Sequence, residues 1–495
     1  MAEVLDKIYD LVWGAPALVL IAFVGIYLCI RTGFVQLRLF PAACHIFWRR
    51  LTGKERSDGG VSPFQALCTA LAATVGTGNL AGVAGAMAIG GPGAIFWMWL
   101  CALLGMVTKL AEATLAVRYR VRERGEVLGG PMYTIRGGMG RRWGWLASVY
   151  SFFGVIAAFG VGNATQINAV ITGINDCITA FGGTVSRQGD LLMGLVLAGA
   201  VLVLLLGGAR RIGAAAERLV PFAAAAYLLL GSLVLVCRAE AVPAAFGAII
   251  QGAFSPGAVS GGMIGSVMTT MRIGVSRGVF TNEAGMGTAG IAHGSAAVDH
   301  PVEQGLMGII EVFLDTIVIC TMTALVILCS GITIPYGTDV GVSLTIDAFS
   351  GVLGPWVRVL IAGALCLFAF ATILGWGLYG ARCAQYLFGR PLWGRFALLQ
   401  AATVILSSVL KTETVWLMAE IVNGLMAIPN LISLAVLTPE LCCLIHEYMQ
   451  KTGRTAGGGT LCRFPSMQTA ANPLPCESST PLRWKPRSRE RRSIT

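Results

Sequence analysis

Eleven stretches of the chain are apolar for close to the roughly 20 residues that a bilayer core demands of a spanning helix. They run approximately 11–30, 63–89, 93–117, 146–171, 191–207, 219–236, 262–297, 305–329, 356–379, 396–410 and 415–445. The second and the seventh are interrupted. In the second, Ala73-Thr74-Val75-Gly76-Thr77-Gly78-Asn79-Leu80 sets two glycines and an amide in the middle of the run. In the seventh, Phe280-Thr281-Asn282-Glu283-Ala284-Gly285-Met286-Gly287 puts an amide, a carboxylate and two glycines between flanks of small apolar residues. Unpaired backbone groups are costly in lipid, so non-helical backbone survives at that depth only where it lines a cavity or packs on protein. Each interruption therefore reads as a helix broken at its middle and as a candidate solute site.

Composition agrees with this pattern. Hydrophobic residues make up 55% of the 495, charged residues 12%, and mean hydropathy is +0.73, all outside the range of soluble domains. The formal charge of +11 does not point to nucleic acid, because the segment from Met449 onward holds nine Lys/Arg against two acids. That tail, 449–495, is expected to be disordered and basic, with an anionic-lipid contact by Arg483 to Arg492 as the alternative to simple solvation. The fourteen cysteines show no zinc-type spacing and lie mostly inside apolar runs, as small hydrophobes do. No cofactor is implied. The N-terminus lacks the charged region and cleavage site of a signal peptide. No HExxH or GxSxG occurs, which argues against an intramembrane enzyme.

Lys/Arg bias in short loops sets orientation. Loops 31–56, 118–142, 210–218 and 382–395 carry nineteen basic residues, whereas the opposite loops offer Lys7, Arg187, Arg238, Arg358 and Lys411. The N-terminus is thus expected outside and the C-terminus in the cytoplasm. Loop 296–303 departs from the rule, with Asp299 and Glu303 but no Lys or Arg. With run 11–30 set aside as a peripheral helix, the rest divide into two sets of five, 63–237 and 262–446. Each opens with a broken helix, and the two sets enter the membrane from opposite sides. This is the 5+5 inverted repeat of LeuT-type transporters. The expected fold is an all-α polytopic membrane protein with a transporter domain over 1–448.

Three stretches resemble the alanine/glycine:cation symporters, the sodium:alanine symporter family: Ala73 to Trp99, Gly278 to Ala296, and His300 to Ile327. The resemblance spans roughly 11–448. It implies sodium-coupled uptake of a small neutral amino acid, alanine or glycine, through a bacterial-type cell membrane, with lipid and sodium as further partners. A proton-coupled carrier or an exchanger of the same fold is the alternative, kept open by Glu283.

A zwitterion needs partners for a carboxylate and an ammonium. In Gly76-Thr77-Gly78-Asn79 the glycines let the helix unwind, and N–H groups at Thr77 and Gly78 are expected to meet the carboxylate. Carbonyls of the second break would face the ammonium. Close helix packing is the other use of such glycines. Asn79 and Asn282 are polar at membrane depth, where such groups are functional or paired; Asn282 either caps a half-helix or touches substrate. Gln166, a neutral amide, suits a zwitterion, and the resemblance makes it a substrate contact; a bond to Asn163 or Asn168 is the alternative. Phe280 and Trp376 are read either as pocket walls or as packing. Glu283 is expected to pair with Arg272 or Arg277, or to neutralise sodium. Lys109 and Glu112 are expected to pair with each other or to snorkel, and Glu311 with Asp315 to form a gate or assist cation coupling. By resemblance to LeuT-type sites, the carbonyls of Ala72 and Val75 and the hydroxyl of Thr372 would hold sodium.

Overall fold

The structure is a computed structural model, and it describes residues 12, 15–53, 61–123, 125–259, 266–338, 341–389, 392–409 and 412–453. The expectations for the extreme N-terminus and for the tail beyond 453 lie outside the described residues.

Each of the eleven apolar runs is mainly helical among the described residues. Among the described residues, seven helices are long and apolar enough to cross a membrane, or eight when the bent pair Pro63–Thr74 and Gly78–Gly90 is taken as one span. The expected count of eleven is not reached on that measure. The helices Ala15–Thr32 and Trp393–Ser407 are short, and the seventh run divides into Val267–Asn282 and the six-residue Thr288–His293.

Local chemistry explains both breaks. Pro63–Thr74 starts from a capping box, in which the Ser62 hydroxyl accepts from Gln65 N–H and the Gln65 side chain accepts from Ser62 N–H, with Pro63 at the first helical position. It ends at Val75, whose backbone is extended, and resumes after Thr77 through a wide turn, Gly78–Gly82; the two halves meet at 49°. In the seventh run, Glu283 takes a left-handed conformation at the end of Val267–Asn282. Gly285 and Gly287 also have positive φ before the second half begins.

Three of the most extensive interfaces join Ala94–Arg118 to Pro301–Val312, Gly144–Phe159 to Val357–Phe388, and Arg187–Leu205 to Trp393–Ser407. These are the third run with the eighth, the fourth with the ninth and the fifth with the tenth, each paired with its counterpart in the other set of five. Small residues permit the approach: a Cβ on Gly308 would lie 2.9 Å from the Lys109 carbonyl oxygen.

Further helices lie outside the apolar runs, Phe40–Thr52, Pro131–Gly138, Val242–Phe254 and Ser343–Leu353, with a hairpin Val121–Glu123/Glu126–Leu128. Arginines from Phe40–Thr52 and from the residue before the hairpin reach the acidic loop 296–303. Arg50 donates to Glu303 at 3.0 Å, and Arg120 to the Ala296 carbonyl at 2.6 Å. The loop's cations come from other segments.

Candidate functional site between the two broken helices

The backbone groups at the first break leave the helical pattern one by one. Gly76 N–H, which would bond to Ala72 O in a continuous helix, donates to Asn79 Oδ1 at 2.9 Å. Asn79 N–H, the usual donor to Val75 O, turns to Gly76 O at 3.3 Å. The carbonyls of Ala72 and Val75 thereby lose their helical donors. Thr372 stands beside Gly76, where a Cβ would lie 2.5 Å from its Oγ1 and 3.1 Å from Gln166 Oε1. The Thr372 hydroxyl itself donates to Phe368 O at 3.0 Å. Thr77 N–H donates to Gln166 Oε1 at 3.3 Å, and the buried Thr77 hydroxyl has no partner among the described residues.

The second break is built the same way. Ala284 N–H donates to Asn282 Oδ1 at 3.0 Å, an Asx turn just past the end of Val267–Asn282, while Glu283 N–H closes that helix on Val279 O. Gly285 N–H, which would otherwise bond to Thr281 O, reaches Glu112 Oε1 at 2.9 Å, and Gly287 N–H reaches the same oxygen at 3.0 Å. Asn430 Nδ2 adds a third donor to that oxygen at 2.8 Å. Met286 N–H turns to Glu283 O rather than Asn282 O. The carbonyls of Thr281 and Asn282 are thus released from their helical donors.

The two breaks touch. A Cβ on Gly78 would lie 3.2 Å from Thr281 Cγ2 and 3.5 Å from the Phe280 ring. They are also bridged through the eighth run: Asn79 Nδ2 donates to Asp315 Oδ1 at 2.7 Å, Thr316 donates to Asp315 Oδ2 at 2.8 Å, and Asn282 Nδ2 donates to Thr316 Oγ1 at 3.2 Å. Asn79 and Asn282 are therefore engaged in holding the breaks open. Wide π-type turns occur at Gly78–Gly82, Gly160–Ala164 and Phe313–Cys320, each beside this cluster, and such turns are frequent at functional sites.

Gly76, Thr77, Gly78, Asn79, Gln166, Phe280, Asn282, Trp376, Ala72, Val75 and Thr372 are all buried. Gln166 does not bond to Asn163 or Asn168: its Nε2 donates to Val161 O at 3.2 Å, while Asn163 donates to Gln400 O. Trp376 donates its indole N–H to Glu283 Oε1 at 2.8 Å and leans on the turn at Gly162, where a Cβ would lie 2.2 Å from its own.

Two expectations about charge are corrected. Glu283 does not pair with an arginine: its carboxylate accepts from Trp376 and, at 2.5 Å, from Thr288, while Arg277 pairs with Glu420 at 2.8 Å. The left-handed backbone at Glu283 carries its side chain away from the preceding helix on which the arginines stand. Lys109 and Glu112 do not pair or snorkel. Lys109 Nζ meets Glu311 at 2.8 Å with both side chains fully buried, and Glu112 faces the second break. From Glu311 a polar chain continues to His293 at 2.9 Å, to Gln304 at 2.6 Å and to Arg50 at 3.1 Å. Glu112 and Asn430 are the site residues that local sequence reading misses. Glu112 shows itself only as a carboxylate at membrane depth.

Two half-broken helices held face to face inside a helical bundle define a membrane transporter of the LeuT type. In fold the chain is similar to the crystal structure of MhsT in complex with L-phenylalanine, with a TM-score of 0.54 and 16% identity, over 80% of this chain and 99% of that one. The chain belongs to the sodium:alanine symporter family, whose profile matches residues 1–458. It is 42% identical over 444 residues to the sodium/alanine symporter AgcS of Methanococcus maripaludis, covering 88% of this chain and 94% of that one. It is 43% identical over 455 residues to an uncharacterized transporter of Haemophilus influenzae, covering 91% and 96%.

Proposed function

We propose that this protein is a sodium-coupled symporter that imports small neutral amino acids, alanine and glycine, across the cell membrane by alternating access. Its repeats would span 63–237 and 262–446, with the N-terminus outside and the C-terminus in the cytoplasm, as the loop charge bias supports. One observation carries the reading: both breaks turn backbone groups out of the helical pattern toward one buried place, where the Thr77 hydroxyl has no partner among the described residues. Fixed dipoles of this kind bind a zwitterion without adding net charge. The substrate carboxylate would take the Thr77 and Gly78 N–H groups, displacing Gln166 Oε1 and leaving the amide free to donate. The ammonium would meet the carbonyls of Thr281 and Asn282. Phe280 and Trp376 would keep the pocket small.

Sodium is a hard cation and prefers oxygen ligands. The released carbonyls of Ala72 and Val75, with the Thr372 hydroxyl across the interface, fit it. Because these groups belong to the first broken helix and the ninth run, the ion would join the two when bound, and linkage requires sodium and alanine to tighten each other equally.

The test is radiolabelled alanine uptake into proteoliposomes with and without an inward sodium gradient, with stimulation expected. Uptake driven by a proton gradient instead would favour the second reading. The observation behind that reading is Glu283, a buried carboxylate at the site whose partners shown here are neutral. Uptake only against preloaded amino acid would indicate an exchanger. Thr372→Val keeps the shape and removes one oxygen, so it should raise the sodium concentration for half-maximal uptake about tenfold, on the scale of one interaction with a charged group. A variant with wild-type sodium dependence would place the ion elsewhere.

A further inference from the structure

Glu283 stands in a backbone conformation that L side chains rarely adopt, with φ 54. Among the described residues it shares this with Phe34 alone, and the two other left-handed joints of the same break, Gly285 and Gly287, are glycines. A glutamate where glycine would fit without strain points to work done by its side chain. Both carboxylate oxygens are engaged, in opposite directions. Oε2 accepts from the hydroxyl of Thr288, the first residue of the second half-helix, and so staples across the break. Oε1 accepts from the indole N–H of Trp376 on the ninth-run helix, Val357–Phe388. Trp376 is fully buried and pressed onto Gly162 in the wide turn of the fourth run. That turn also supplies the carbonyl of Val161, to which Gln166 donates.

Thr288, Glu283 and Trp376 thus form one chain from the second broken helix to the aromatic wall of the pocket. We propose that Glu283 is a positioning residue for substrate size selection. Its carboxylate holds Trp376 as the wall against which a small side chain fits, so that selectivity depends on the backbone state of the second break. This rests on the transport function proposed above. Packing against Gly162 and Tyr379 confines the ring, and the bond to Glu283 fixes the direction of its indole N–H. Since Glu283 is also the joint of the break, any rearrangement of that joint on substrate release withdraws the acceptor and frees the wall. The carboxylate acts here as a hydrogen-bond acceptor, not as a charge.

The acceptor role separates the variants. Glu283→Gln keeps a carbonyl oxygen able to accept from the indole; Glu283→Ala removes it; Trp376→Phe keeps an aromatic ring and deletes the donor. In proteoliposomes the reading is the concentration of leucine that halves alanine uptake, taken with KM and maximal rate for alanine. Glu283→Ala and Trp376→Phe should each lower that leucine concentration about tenfold or more, and the double variant should fall well short of the product of the two, because both delete the indole–carboxylate bond. Glu283→Gln should stay within about threefold of wild type, with unchanged sodium dependence. Equal damage from Glu283→Gln and Glu283→Ala would show that the charge is what matters and would overturn the proposal, as would additive effects in the double variant. If Glu283→Ala does not fold, Trp376→Phe against Glu283→Gln decides: a leucine profile unchanged in Trp376→Phe sinks the idea. Wild-type protein that shows no sodium-driven alanine uptake would instead defeat the functional reading itself. Thermal shift in detergent on binding alanine or leucine then still reads the selectivity of each variant.

Discussion

Gly76→Ala is expected to reduce sodium-driven alanine uptake by roughly one to two orders of magnitude while leaving the protein folded. The added methyl would sit 2.5 Å from Thr372 Oγ1 and 3.1 Å from Gln166 Oε1, closer than packed atoms approach. Thr372 cannot swing aside cheaply. It is β-branched, and its hydroxyl is bonded to Phe368 O at 3.0 Å. The helices cannot part locally either, because Gly375 on the same ninth-run helix already lies against Ala73, where a Cβ would be 2.9 Å from that residue's Cβ. Overpacking of this kind costs about 1–3 kcal/mol, a factor of roughly 5 to 150 in an equilibrium. It falls on the place where the proposed sodium and carboxylate sites meet. Gly363→Ala is the control: it lies on the ninth-run helix with nothing within 4 Å of its added Cβ, and should transport normally. Equal sodium affinity and uptake in Gly76→Ala and Gly363→Ala would mean that the ninth run has no part in the site.

The same residues show how far the sequence alone could be read. Gly76, Thr77 and Gly78 announce the first break because glycine and a polar residue at membrane depth are local anomalies, visible without any knowledge of partners. The positions of the apolar runs, and their division into two sets of five, follow from residue type along the chain; which helices pack together comes from the structure. What escapes is anything set by a distant partner. Glu112 lies 173 positions from Gly285 along the chain yet closes its N–H. Lys109 chooses Glu311, 202 positions away, over Glu112 three positions away. The left-handed turn at Glu283 redirects its side chain from Arg277 to Trp376, which helical spacing could not foretell. Asn282 could be read as cap or contact, and its two partners, Ala284 N–H and the Thr316 hydroxyl, are set by the turn and by the eighth run. The helices Phe40–Thr52 and Ser343–Leu353 are too short to span a bilayer, so the length of an apolar run does not reveal them.

Lys109→Met is expected to destabilise the protein by about 3–5 kcal/mol, the usual consequence of removing one partner from a buried ion pair. Lys109 Nζ and Glu311 Oε1 are 2.8 Å apart with neither side chain exposed, so water cannot take the place of the lost ammonium. Glu311 keeps only His293 on its other oxygen, at 2.9 Å, and His293 is in turn committed to Gln304. The disturbance therefore reaches the end of the second broken helix and, through Arg50, the surface helix Phe40–Thr52. The ion pair Arg358–Asp347 gives the comparison. Its side chains are 21% and 51% exposed, and such surface pairs contribute about 0–1 kcal/mol, so Arg358→Ala should barely change stability. Thermal inactivation in detergent, followed by size-exclusion of the surviving monodisperse protein, ranks the variants without assuming two-state unfolding. The double variant Lys109→Met/Glu311→Met tests the cause. Once neither charge is present, no ion is left stranded in an apolar surrounding, and most of the loss should return, because apolar replacement of a whole buried pair is often close to neutral. If Lys109→Met inactivates at the same temperature as Arg358→Ala, Glu311 is neutral in the folded protein and the pair is no ion pair. If the double variant is as unstable as the single one, the lysine stabilises the bundle through its packing rather than its charge.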